Sequence, residues 1–166
     1  MVVYLLANKD ASETKAAVES YGRRCETVRA DLRQEPEAYR VVNEAMGLFG
    51  HIDVLVNNIA VQVPQNSLTD ISAEQLEDTF RTNVFSYFYM TKAALPHLKP
   101  GASIINTTSV TAYKGSEALL DYSSSKGAVV SLTRSLSMSL VKNGIRINAV
   151  APGPVWTPLI VSSFSP

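Results

Sequence analysis

Tyr122 and Lys126 close the run Ser109–Lys126, Ser-Val-Thr-Ala-Tyr-Lys-Gly-Ser-Glu-Ala-Leu-Leu-Asp-Tyr-Ser-Ser-Ser-Lys. On a helix, residues four apart share one face, with Cβ atoms about 5–6 Å apart. A phenol titrates near pH ~10 in water and relays protons poorly at neutral pH. A neighbouring ammonium favours the phenolate and is expected to pull that value down. Ser109 follows an apolar run, Ala102–Thr107, and would face the same cleft, where its hydroxyl could bond a substrate oxygen or the phenol. Together the three groups form a candidate acid/base centre for making or consuming a hydroxyl group. The Tyr-x-x-x-Lys pair alone also occurs on ordinary amphipathic helices, so its meaning depends on the elements that hold it.

Those elements alternate. Val2–Ala7 reads as a continuous apolar strand, of the kind buried on both faces of a parallel sheet. Ser12–Tyr21 reads as a helix capped by Ser12 and stopped by Gly22, and Arg24–Ala30 as a second strand. Gln34–Phe49 is a helix with Pro36 in its first turn and Gly50 as its stop. Asp53–Val56 is a short strand leading to the turn Asn57-Asn58-Ile59-Ala60. Ser72–Leu98 is a long helix with Ser72 as N-cap and Gln75 three residues on, as in a capping box. Strand Ala102–Thr107, helix Leu119–Val141 and strand Ile145–Val150 follow, then a Pro/Ser-rich tail. Alternation of this kind predicts an α/β, doubly wound parallel sheet, with residues 1–166 forming one domain.

In such sheets ligands sit beyond the carboxyl ends of the strands. Asn8 and Lys9, Asp31, Asn57 and Asn58, Ser109, and Pro152-Gly153 all fall there. Each alone could be a turn former or a helix cap. Their shared edge is what points to a ligand cleft.

These motifs, in this order, resemble the short-chain dehydrogenase/reductase family. Asp31-Leu32 is similar to the family's aspartate after the third strand, whose side chain contacts the adenine ring. Asn57-Asn58-Ile59-Ala60 resembles the Asn-Asn-Ala-Gly turn that lines the cofactor. Asn83, in Arg-Thr-Asn-Val, resembles the helix asparagine that completes a catalytic tetrad with Ser109, Tyr122 and Lys126 and helps hold a water linking the lysine to solvent. Arg146–Gly153 resembles the strand and turn that close over nicotinamide, with Val155 and Thr157 beyond it. The resemblance implies a Rossmann-like fold and hydride transfer between a nicotinamide dinucleotide and a carbonyl or secondary alcohol. Tyr122 would be the general acid/base. Lys126 would lower its pKa and bond the nicotinamide ribose, and Ser109 would steady the substrate oxygen. Cofactor contacts would come from Asn8, Lys9, Asp31, Leu32, Asn57, Ala60, Tyr122, Lys126, Pro152, Gly153, Val155 and Thr157. Lys9, where an acidic residue would favour NAD, tilts the expectation slightly toward NADP. Oligomerisation through the helices 72–98 and 119–141 is a further implication.

The chain also departs from the family pattern. Nothing before Val2 corresponds to the first strand and its glycine-rich turn, and the last helix and strand of the family are lacking, so the chain is expected to be a fragment. The strands at Val2–Ala7 and Asp53–Val56 would then flank a gap, each with an unpaired apolar edge. Ile59 is bulkier than the family's usual alanine, which predicts a tighter or shifted turn.

Composition narrows the alternatives. Hydrophobic residues are 46% and charged residues 18% of the chain, a globular rather than disordered balance. Formal net charge is zero, which gives no footprint for nucleic acid or an anionic membrane. Cys25 is the only cysteine, which excludes an intrachain disulfide and suits a cytoplasmic setting. His51 and His97 lack partners at metal-ligand spacing, so no metal is expected. Phe85, Tyr87, Phe88 and Tyr89 read as core. Trp156 and Leu159 read as either the start of a substrate lid or packing residues. Two functions remain open: an NAD(P)-dependent oxidoreductase, or a non-catalytic derivative that keeps the tetrad but cannot hold a dinucleotide and serves at most as an association partner.

Overall fold

The computed structural model describes residues 1–155, 157, 159 and 163. Strands and helices alternate as β1 (Val2–Tyr4), α1 (Asn8–Ser20), β2 (Thr27–Arg29), α2 (Glu35–Phe49), β3 (Ile52–Asn57), α3 (Ala73–Phe80), α4 (Ser86–Ala94), β4 (Leu98–Thr107), α5 (Thr111–Lys114), α6 (Leu120–Leu140) and β5 (Arg146–Val150). Every strand pairing is parallel, as expected for strands joined by helical crossovers. The fold is α/β and Rossmann-like.

The strands form two ladders, β1–β2 and β3–β4–β5, and among the described residues no ladder joins β1 to β3. The anticipated gap is therefore present, and it changes what the first strand looks like. Val2, Val3 and Tyr4 are only half-buried and Leu6 is exposed, so the strand is shorter and wetter than its apolar sequence suggests. Across the gap, Val54 and Val56 of β3 are 55% and 56% exposed. These valines have the composition of a doubly covered strand without the second cover.

Local chemistry sets most boundaries. Gly50 ends α2 in the left-handed region at φ 75°, where a Cβ would be strained. The Ser72 hydroxyl accepts from the Gln75 amide at 3.1 Å, the expected N-cap of α3. Ser12 is a correction: α1 begins at Asn8, and the Ser12 hydroxyl donates to the Asn8 carbonyl one turn back rather than capping. Asn8 and Lys9 consequently stand in the first turn of a helix, not at a strand end. The 72–98 helix is also corrected. It is α3, a wider π turn over Arg81–Phe85 and then α4, and Leu98 already belongs to β4, paired with Ile52.

The main core lies between α2, α4 and the strands, where Ala38, Val41 and Ala94 meet Val28 and Met90. It draws Val3 from one ladder and Leu55 from the other, so α2 and α4 bridge the two. A second cluster, Ile104, Leu140, Ile145 and Ile147, packs the end of α6 against β4 and β5. A third, Tyr87, Val129 and Leu132, lies under the middle of α6 and places that helix over the C-terminal end of β4.

Candidate active site

The end of β4 and the first half of α6 build the site together. Pairing with β5 continues past the strand: the Thr108 amide donates to Val150 O at 2.8 Å and the Val110 amide to Pro152 O at 3.1 Å. This places the Pro152-Gly153 turn beside Ser109. The Thr108 hydroxyl donates to the Lys126 carbonyl at 2.8 Å, and Lys126 Nζ donates to Thr107 O at the same distance. Lys126 is thus tied to β4 at both its backbone and its tip. The ammonium lies 5.7 Å from the centre of the Tyr122 ring, so the two residues share a helix face as their spacing predicts. Lys126 is 1%, Ser109 7% and Tyr122 8% exposed.

Asn83 reaches this group through the π turn, in which the helix widens by one residue. Its side chain clamps one residue of the facing loop. Oδ1 accepts from the Val61 amide at 2.8 Å, while Nδ2 donates to Val61 O at 2.9 Å and to the Ser125 hydroxyl at 3.1 Å. With both ends of the amide engaged, Asn83 fixes the loop rather than touching Lys126.

Asn57 is the last residue of β3, not the start of the turn, and stands in register with Asn106 of β4. Its Nδ2 donates to Asn106 Oδ1 at 2.9 Å, and Asn106 passes a bond on to Thr133 of α6 at 3.0 Å. Asn58 accepts from the Thr107 hydroxyl at 2.9 Å. Ile59 turns its side chain into the core, packing on two of the three clusters, and its carbonyl accepts from the Tyr87 hydroxyl at 3.1 Å. The larger residue is accommodated by burial.

The electrostatics differ from expectation in one respect. Burial pushes the Tyr122 phenol above its ordinary value, and a hydrogen bond from Ser109 offsets part of that rise. The lowering expected from Lys126 is absent because the ammonium points at Thr107 O and lies against the ring rather than the hydroxyl. Lys126 itself is pushed down to about 8 by burial.

Two residues at the site carry no advance signal strong enough to single them out. Tyr87, read as core, is fully buried, but its hydroxyl lies 3.4 Å from Lys126 Nζ. The clue was its position four residues after Asn83, on the same helix face. Asp121, the residue before Tyr122, is 3% exposed and accepts from Gln75 Nε2 at 3.0 Å and the Thr79 hydroxyl at 2.8 Å. Gln75 therefore completes no capping box. Its side chain links Asp121 to Val63 O and Gln65 in the facing loop. Phe85 and Phe88, also read as core, are 39% and 51% exposed, a correction that leaves Tyr87 and half-buried Tyr89 as the inward members of that group.

Around the remaining edge, Leu32 is buried and Asp31 half-buried. Arg33 grips both Asp31 oxygens, at 2.9 and 2.8 Å, holds that carboxyl below its usual range, and reaches Asp78 of α3. Asn8 and Lys9 are exposed, with Lys9 3.8 Å from Glu13. Ala60, Pro152 and Thr157 are half-buried, while Gly153 and Val155 are exposed. Leu159 is half-buried, and Trp156 lies outside the described residues. Cys25 is buried and free. Among the described residues no group of His, Cys, Asp or Glu could hold a metal ion, and no helix is long and apolar enough to cross a membrane.

Comparison with known proteins agrees with this architecture. A family model described as enoyl-(acyl carrier protein) reductase matches residues 1–165. The oxidoreductase YhdF of Bacillus subtilis is 55% identical over 163 residues, covering 98% of this chain and 56% of the relative. NADPH-dependent aldehyde reductase 1 of Arabidopsis thaliana is 50% identical, covering 95% and 56%. A short-chain dehydrogenase of Burkholderia cenocepacia, solved in complex with NADP, superposes with a TM-score of 0.90 at 30% identity, covering 95% of this chain and 64% of that one. The chain belongs to the short-chain dehydrogenase/reductase family, a family of oxidoreductases, and spans a little over half the length of the curated relatives it matches.

Proposed function

We propose that this chain is an NAD(P)-binding domain of an oxidoreductase acting on a carbonyl or secondary alcohol, with Tyr122 as the group that gives or takes the proton at the substrate oxygen. The observation that carries this reading is the buried group of Ser109, Tyr122 and Lys126 at the C-terminal end of β4.

The residues present fit a dinucleotide. Lys126 and Tyr122 offer a cation and a hydroxyl to ribose and substrate oxygens, and a Cβ placed on Gly153 would meet nothing within 4 Å, leaving room at the turn beside Ser109. The Asp31 carboxylate has further lone pairs beyond those that Arg33 occupies. Lys126, Tyr122 and the 152–153 turn would hold the nicotinamide end, and Asp31-Leu32 the adenine end. A bound nicotinamide supplies the hydride donor or acceptor.

The chain's own residues do the rest. A phenol kept protonated by burial is a proton donor, which suits reduction of a carbonyl. Ser109 can steady the same oxygen. Lys126, whose ammonium lies against the Tyr122 ring rather than its hydroxyl, offers its charge to an incoming ribose oxygen. The exposed Lys9, together with relatives named for NADPH dependence or solved with NADP, favours NADP over NAD. Exposed Phe85 and Phe88 on the α4 side support a homo-oligomer through the long helices, which light scattering can test.

Titration with NADPH and NADH, followed by nicotinamide fluorescence, tests the binding step, and tighter binding of NADPH is expected. A folded sample that binds neither at millimolar concentration would overturn the reading. Tyr122→Phe should lower turnover by about 10²–10⁴-fold with cofactor affinity nearly intact. Unchanged turnover would remove Tyr122 from its role.

A further inference from the structure

We propose that Tyr87 is a positioning residue for Lys126: its hydroxyl holds the buried ammonium beside Tyr122 without cancelling its charge. This rests on the reading of Lys126 as the working cation of the site.

A lysine tip on a four-carbon stem loses much rotamer freedom when held in one place, so something specific must hold it. Among the described residues Lys126 Nζ has two polar partners, Thr107 O at 2.8 Å and the Tyr87 hydroxyl at 3.4 Å. The faces of the Tyr87 and Tyr122 rings lie 5.4 and 5.7 Å away. All of these are neutral. An ammonium only donates, so the Tyr87 oxygen must accept from it. The Tyr87 proton then goes to Ile59 O at 3.1 Å or Thr107 O at 3.2 Å. The result is a hydrogen-bonded path from Lys126 through Tyr87 to the main chain, either of the loop after β3 or of the end of β4. Asn83, one helical turn before Tyr87, is committed to Val61 and Ser125.

The choice of a phenol has a physical consequence. A carboxylate in that position would pair with the ammonium and neutralise its field. Tyr87 is fully buried and its phenol is pushed up by that burial, so it stays neutral while it fixes the lysine's position. Among the described residues two of the three ammonium donors are used, which leaves the third for an incoming hydroxyl.

The test follows the Lys126 side chain by NMR in protein labelled at lysine Cε and Nζ, with the resonance assigned by its loss in Lys126→Arg. Removing an acceptor from a charged donor disfavours the charged form, so Tyr87→Phe should lower the Lys126 titration midpoint by about one pH unit. Tyr89→Phe, a half-buried ring on the same helix, should leave it in place. An unchanged midpoint in folded Tyr87→Phe overturns the proposal. Should that variant not fold, the wild type still decides. The Tyr87 Cζ resonance, assigned through its contacts to Ile59 and Thr107, should titrate with the Lys126 midpoint, and independence of the two overturns it. Neither measurement needs cofactor or substrate, so each stands apart from whether Tyr122→Phe abolishes turnover.

Discussion

Asp121 and Lys126 are charged residues on one helix, a little over one turn apart, both buried, and the fold treats them in opposite ways. The Asp121 carboxylate is met by three donors, Gln75 Nε2 at 3.0 Å, the Thr79 hydroxyl at 2.8 Å and the Tyr122 amide at 2.8 Å. It also sits in the first turn of α6, where the helix dipole favours an anion. Lys126 has one short bond to a carbonyl, one long contact to a phenol and two ring faces. Asp121 is compensated and serves as an anchor, drawing α3 and the 63–65 loop onto the start of α6. Lys126 is under-compensated and its pKa falls to about 8. The helix holds one satisfied charge, which fixes geometry, and one under-compensated charge, the pattern expected where a functional residue lowers stability.

The sharpest way to break this contrast is to remove the under-compensated charge. A lysine depressed from 10.5 to about 8 binds fewer protons folded than unfolded between those two values. Wild-type stability should therefore climb with pH across that window, and the cost of burying the charge is felt in full below pH 8. Lys126→Met should lose turnover yet unfold later at pH 7, by about 3 kcal/mol. Its advantage should shrink by pH 9.5, and comparison with wild type at each pH cancels the tyrosines. Denaturant melts at the two pH values check this, and equal stability at pH 7 would mean the ammonium is better compensated than its partners suggest.

Removing the anchor should act in the opposite direction. Asp121→Ala leaves the buried donors of Gln75 and Thr79 without their acceptor and should cost about 2 kcal/mol. Asp121→Asn, which keeps an acceptor oxygen, should cost about half of that. Faster hydrogen exchange at the 63–65 amides in the alanine variant would show the loop released. A protected loop would show that Asp121 anchors only its own helix. The smallest effect lies at the far end of the same network, where Ser72→Ala removes a cap from α3 and should cost about 1 kcal/mol in a thermal melt.

Much of the fold was legible because its signals are local. The Ser72 cap, the Gly50 stop and the strand–helix alternation were read from neighbouring residues, and all three are present. Ser12 misled because a serine near a helix start can bond back to a carbonyl as readily as forward to an amide, and nothing local decides which. The break at Arg81–Phe85 had no sequence marker, since the widened turn is held by Asn83 reaching Val61 on another segment. Val2–Ala7 has the composition of a doubly buried strand, and the gap expected beside it is what leaves Val2, Val3 and Tyr4 half-buried.

Spacing alone established that Tyr122 and Lys126 share a face, because 3.6 residues per turn leaves no other geometry once the helix forms. It also aligned the polar residues of several strands at one edge, because parallel strands end together. What those groups do to one another was decided only when distant segments met. Burial raised the Tyr122 phenol and lowered the Lys126 ammonium, Tyr87 arrived from another helix to hold the lysine, and three donors converged on Asp121. Local geometry propagates along the chain and can be read from it. Desolvation and partner choice depend on residues far away in sequence, and they exist only in the folded molecule.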